Sequence, residues 1–122
     1  MAASSTSEIV SDLHSVSLEL EDGLCDLIGA QAIHGEAQRE LASVKARLEQ
    51  ARAELIVEGV EGSNAEAREA HIRVSLKEVY SEVFCCEDEV ARKKVNLEIE
   101  QQKWNLLRYK LRALEAISKF ES

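Results

Sequence analysis

Proline is missing from this 122-residue chain, which removes the residue that most often ends or kinks a helix. Aromatic residues make up only 4% of it, namely Tyr80, Phe84, Trp104, Tyr109 and Phe120. A compact mixed core of this length would use more, so the scarcity points to narrow seams between helices, packed with Leu, Val, Ile and Ala. Cysteine is also rare. Cys25, Cys85 and Cys86 are odd in number, two are adjacent, and none forms a C-x-x-C pair. That excludes a disulfide framework or zinc knuckle and points to a reducing cytoplasm. No run of 18 apolar residues is present, so no membrane span is expected. The opening Met-Ala-Ala-Ser-Ser-Thr-Ser lacks the positive and apolar regions of a signal peptide.

Charge is what the chain has in quantity, at 31% of residues with a net of −8. An acidic total argues against a general nucleic-acid binder, which needs a basic face to displace counterions. The total conceals an asymmetry. Residues 1–35 hold six acids and no Lys or Arg, while residues 91–119 hold eight bases against three acids. The simplest arrangement sets these two stretches side by side.

Apolar spacing predicts an all-α protein with helices over about 6–28, 36–58 and 64–120, a turn at 59–63, and a single domain over 1–122. The first helix opens on Ser5-x-x-Glu8, a capping-box spelling, and carries Ile9, Leu13, Val16, Leu20, Leu24 and Leu27 with one drift in phase. Gly29 and Gly35 each cost a helix about 1 kcal/mol relative to Ala, so a break is expected between them. The second helix repeats Ala37, Leu41, Val44, Leu48, Ala51 and Leu55. Gly59-Val60-Glu61-Gly62-Ser63 is the turn, and Ser63-Asn64-Ala65-Glu66 spells a capping box for the third helix.

That third helix has the longest pattern. Steps of four and three run from Ile72 through Leu76, Val79, Val83, Cys86, Val90, Lys93, Leu97, Glu100, Trp104, Leu107 and Leu111 to Leu114. Only Lys93 and Glu100 interrupt the apolar series, and such a run is the mark of a coiled coil. Folding the chain at the glycine turn gives an antiparallel hairpin in which the long C-terminal helix packs on two shorter N-terminal ones. Val44 then meets Val79, and Leu20 meets Trp104. A second stripe (Val95, Ile99, Leu106 and Ile117, with Tyr80 and Phe84 further up) would be wet in a monomer, so a homo-oligomer, dimer or tetramer, is expected.

No G-x-S-x-G, H-E-x-x-H, P-loop or Rossmann fingerprint occurs, and His14, His34 and His71 are too far apart for a ligand set. The expectation is a protein that is not an enzyme and carries no metal or cofactor. Three clusters are candidate binding residues. Lys93 and Glu100 on the seam would face Gly29-Ala30 and Gly23-Leu24. There they either specify register or leave a notch where His34, Arg92, Lys93 and Lys94 hold a phosphate. Trp104, Arg108, Tyr109 and Arg112 form either a seam and an interface rim or a stacking platform for a base. Asn64 and Arg68 stand one helical turn apart beside Gly62, not needed by the Ser63 and Glu66 capping.

The turn also carries a likeness. Gly62-Ser63-Asn64-Ala65-Glu66-Ala67-Arg68-Glu69-Ala70, preceded by Ala53-Glu54-Leu55-Ile56-Val57-Glu58-Gly59, resembles the G-x-N-A-E-E-R-E-A turn of small coiled-coil proteins in tailed-phage genomes. Ala67 stands where that pattern has Glu, and the likeness covers about residues 40–114. It implies a bacterial cytoplasm and an accessory task. The expected function is a phage-encoded, non-enzymatic anti-defence protein that sequesters a phosphate-bearing nucleotide immune signal or blocks a host defence protein. The alternative is a coiled-coil adaptor or assembly factor that binds a partner protein and no small molecule.

Overall fold

The computed structural model describes residues 2–121, with side chains from 7 to 120. Three helices follow one another, α1 (Ala2–Glu58), α2 (Ala65–Ser75) and α3 (Lys77–Glu121), with no strand among the described residues. α1 packs on α3 at long range in sequence. None of the helices is long and apolar enough to cross a membrane. The Ser5 side chain of the expected first capping box lies outside the described residues.

Two of the sequence expectations are corrected here. The break between Gly29 and Gly35 does not form, and the two shorter helices are one helix of 57 residues. Two interior glycines cost a helix roughly 2 kcal/mol. A break would leave about four N–H and four C=O groups unpaired at the new ends, at about 0.5–1.5 kcal/mol for each hydrogen bond lost. Continuing is the cheaper choice. The long helix expected from 64 to 120 is, in turn, interrupted at Leu76, whose φ of −108° and ψ of 24° depart from helical values. The backbone ladder spans the interruption, Leu76 N–H donating to Ile72 O at 2.9 Å and Tyr80 N–H to Leu76 O at 3.0 Å.

The chain forms two compact units, Met1–Ala32 with Val95–Ser122, and Ile33–Lys94. In the first unit, burial on α1 recurs at Ile9, Leu13, Val16, Leu20, Gly23, Leu27 and Ala30, in alternating steps of four and three. Val16 and Leu27 are its buried members. The seam passes through Gly23 and not Leu24, which is 41% exposed, so the drift in phase disappears. Trp104 of α3 explains the choice. Its indole N–H donates to the Leu20 carbonyl at 3.3 Å, and a Cβ on Gly23 would stand 3.3 Å from its Cδ1 and 3.4 Å from Leu107 Cδ1. The ring uses the space a side chain would take. The space at Gly23, expected to lie opposite Glu100, is taken by Trp104 and Leu107.

In the second unit the seam runs His34, Ala37, Leu41, Val44, Leu48, Ala51 and Leu55 on α1. Ile72 of α2 and Leu76, Val79, Val83, Cys86, Val90 and Lys93 continue it in the phase the spacing predicts. Val44, Ile72 and Val83 are its buried centre. The turn closes on two glycines of positive φ, Gly59 at +114° and Gly62 at +146°. At Gly62 no other residue fits, since a Cβ would lie 2.7 Å from Arg68 N and 2.8 Å from Ala67 C.

Candidate functional site

The turn end of the Ile33–Lys94 unit holds a cluster of interacting polar side chains drawn from three helices. Asn64, extended at φ −143°, caps α2, and its side-chain oxygen accepts from Ala67 N–H at 2.8 Å. The cap thus falls one residue after the expected Ser63. Asn ranks with Ser as a cap, and the pinned Gly62 backbone orients Asn64 for the role. Glu66 then lies in the first turn, where its charge suits the helix dipole.

Glu69, one turn further, receives a two-pronged bond from Arg52 of α1. Arg52 Nη1 donates to Oε1 and Nη2 to Oε2, each at 2.9 Å. The same guanidinium donates to the Tyr80 hydroxyl of α3. Arg73 adds an ion pair to Glu69 at 3.5 Å and lies 5.3 Å from the Tyr80 ring centre. Hydrogen bonding from Arg52 holds the Glu69 carboxyl below its ordinary value, while the bonds to Glu69 and Tyr80 raise Arg52. Three helices are joined by this one group.

Next to it is a shallow depression of about 370 Å³, lined by Ile56, Val60, Ala65 and Ile72 and edged by Arg52, Arg68 and Glu69. Arg68 differs from its neighbours. Arg52 and Glu69 are paired, but the exposed Arg68 guanidinium has no hydrogen-bond or ion-pair partner among the described residues.

The remaining predicted residues divide between the units. Arg92 pairs with Asp88 at 3.3 Å and Glu89 at 2.5 Å, and Lys93 with Glu89 at 3.3 Å. Two cations of the basic triplet are thus neutralised on their own helix, while Lys94 is exposed and His34 is half-buried on the seam. In the other unit the Arg108 guanidinium lies 4.9 Å from the Trp104 ring centre and that of Arg112 lies 5.9 Å from the Tyr109 ring. Trp104 is a seam residue, as its bond to Leu20 requires. Tyr109 is 65% exposed.

Tyr109 belongs to a surface more regular than the four-residue stripe read from the sequence. Val95, Ile99, Gln102, Leu106, Tyr109, Ala113, Ala116 and Phe120 follow one another in steps of four and three, and all are exposed. They form a second heptad face on α3, away from the seam at Leu97, Trp104, Leu107 and Leu111.

Sequence reasoning missed Arg52 and the role of Glu69. A signal existed. Arg52 follows the seam residue Ala51, and Glu69 precedes Ile72 by three, so opposite charges flank the seam at similar distances from the turn. Cys86 drew attention only as a seam residue, and burial pushes its thiol up, with Glu40 and Glu82 adding to the effect. It is a packing group and a poor nucleophile. No protein-family model matches this chain, and no curated protein or solved structure gives a significant match.

Proposed function

We propose that this chain is a non-enzymatic helical binding protein, a self-associating antiparallel hairpin that grips a protein partner at its turn end. One observation carries the reading. Capping, sterics and ion pairing account for Gly62, Asn64, Glu66 and Glu69 of the turn motif, and leave Arg68 exposed at the edge of an apolar depression. A cation beside an apolar dimple suits a partner that offers one large apolar side chain and a nearby carboxylate. The Arg52–Glu69–Tyr80 group keeps the dimple's rim in place beforehand, which lowers the ordering cost of binding.

The likeness of the turn to tailed-phage helical proteins supports a host defence protein as that partner. The pairing of Arg92 and Lys93 with Asp88 and Glu89 speaks for a protein target over a nucleotide held by the basic triplet. A nucleotide reading keeps one supporting feature, the exposed Tyr109 with Arg112 over its ring.

The test compares the wild-type chain with Arg68→Glu, each purified from bacteria carrying defence systems and analysed by native mass spectrometry. A stoichiometric protein partner, lost in Arg68→Glu at unchanged helicity, is the expected result. Equal retention by both proteins would overturn the role of Arg68. A small-molecule adduct lost in Tyr109→Ala would move the reading to nucleotide sequestration.

A further inference from the structure

We propose that the exposed heptad face of α3 seats the same face of a second copy of this chain, parallel and in register, as a two-stranded coiled coil. The proposal rests on the self-association included in the function above and adds the surface, the orientation and the register.

The face extends from Val95 to Phe120, within the Met1–Ala32 and Val95–Ser122 unit. Val95 is 53% exposed, Ile99 45%, Leu106 68%, Tyr109 65% and Phe120 94%. Scattered exposed apolar residues need no explanation, but a series in strict coiled-coil spacing that ends where the polar Arg92 begins is a contiguous patch. Its occupant must match that spacing, and a second copy does.

Two features choose the orientation. The first is charge. Glu98 directly precedes Ile99, and Lys103 directly follows Gln102, positions that flank a coiled-coil seam. In parallel register Glu98 of each copy lies beside Lys103 of the other, giving two opposite-charge pairs. The antiparallel arrangement that sets Leu106 against Tyr109 gives Glu98 an opposite charge at Lys119, but it also brings Lys103 beside Lys110 twice, a repulsion the parallel register lacks. Lys103 is held in its own chain only by a 3.6 Å contact with Glu100, two-thirds exposed, and can turn to a new partner.

The second feature is the polar layer. Gln102 is the one polar residue in the series, and a carboxamide both donates and accepts. In parallel register it meets its own copy, and the two amides satisfy each other. Antiparallel pairing would set it against Ala113, leaving it without a partner inside the seam. A single polar layer that is satisfied in one register only is a recognised device for fixing strand orientation.

The test uses the full chain with Cys25, Cys85 and Cys86 replaced by serine or alanine, and Ile99→Cys added. In parallel register the two introduced thiols face each other, whereas antiparallel strands would hold them some 25 Å apart at 1.5 Å per residue. Mild oxidation at micromolar concentration should give a disulfide-linked dimer as the main product. A protein that is dimeric by light scattering yet fails to cross-link overturns the parallel register and leaves self-association standing. A folded monomer overturns both, and assigns the face to some other occupant. Leu106→Glu in the otherwise native chain should raise the dimer dissociation constant at least a hundredfold at unchanged helicity. Unchanged dimerisation would remove this face from the interface.

Discussion

Arg52 reaches Glu69 with both terminal nitrogens, so part of the stability of the turn end depends on pH. The Glu69 carboxyl titrates lower in the folded chain than in the unfolded one. Its contribution is therefore complete above the unfolded value of about 4.3, and is lost as pH falls through the depressed folded value. Glu69→Gln should lower the melting temperature slightly at neutral pH, with the gap to wild type closing below about pH 4. Melting curves across that range check it, and a gap that stayed constant into acid would assign the loss to packing. In the sequence, Glu69 was visible only as a motif position. Its partner stands seventeen residues away across the turn, and local spacing does not name a guanidinium on another helix.

α1 has three interior glycines, and the fold treats them differently. A Cβ at Gly29 would meet nothing within 4 Å, while at Gly23 it would press on Trp104 and Leu107. Gly29→Ala should accordingly stabilise the protein by about 0.5–1 kcal/mol, the ordinary gain in helix propensity. Gly23→Leu should cost about 1–3 kcal/mol, because the indole must leave its place beside Leu20. Urea unfolding with an unchanged m-value separates the two outcomes. A stabilising Gly23→Leu would mean that the seam tolerates displacement of Trp104. The break expected between Gly29 and Gly35 has a different source. Propensity counts both of those glycines as penalties, but it cannot weigh the hydrogen bonds that a break would forfeit.

For the whole molecule, the packing of α1 on α3 within one chain is the feature a cross-link tests directly. The proposed antiparallel register sets Val44 beside Val79. With the native cysteines replaced, Val44→Cys with Val79→Cys should close a disulfide within one chain, seen as a faster-migrating monomer on a non-reducing gel. Cross-links found only between chains would make the seam intermolecular and the hairpin wrong. Self-association then concerns the second face of α3, and the two seams can be probed independently because they use different residues of one helix.

Apolar periodicity was enough to read the all-helical class and the common phase of α2 and α3 from Ile72 to Leu114, including Lys93 and Glu100 as seam positions. Each of these depends on which face of a helix a residue occupies, and a spacing of four and three encodes that directly. Tertiary structure alone decided that Gly23 displaces Leu24 on the seam, that Asn64 caps α2, that Arg52 ties Glu69 to Tyr80, and that Arg92 and Lys93 are already paired. Those outcomes depend on the volume and hydrogen-bonding reach of side chains brought together from distant parts of the chain. A pattern along one helix carries no record of what fills the space opposite it.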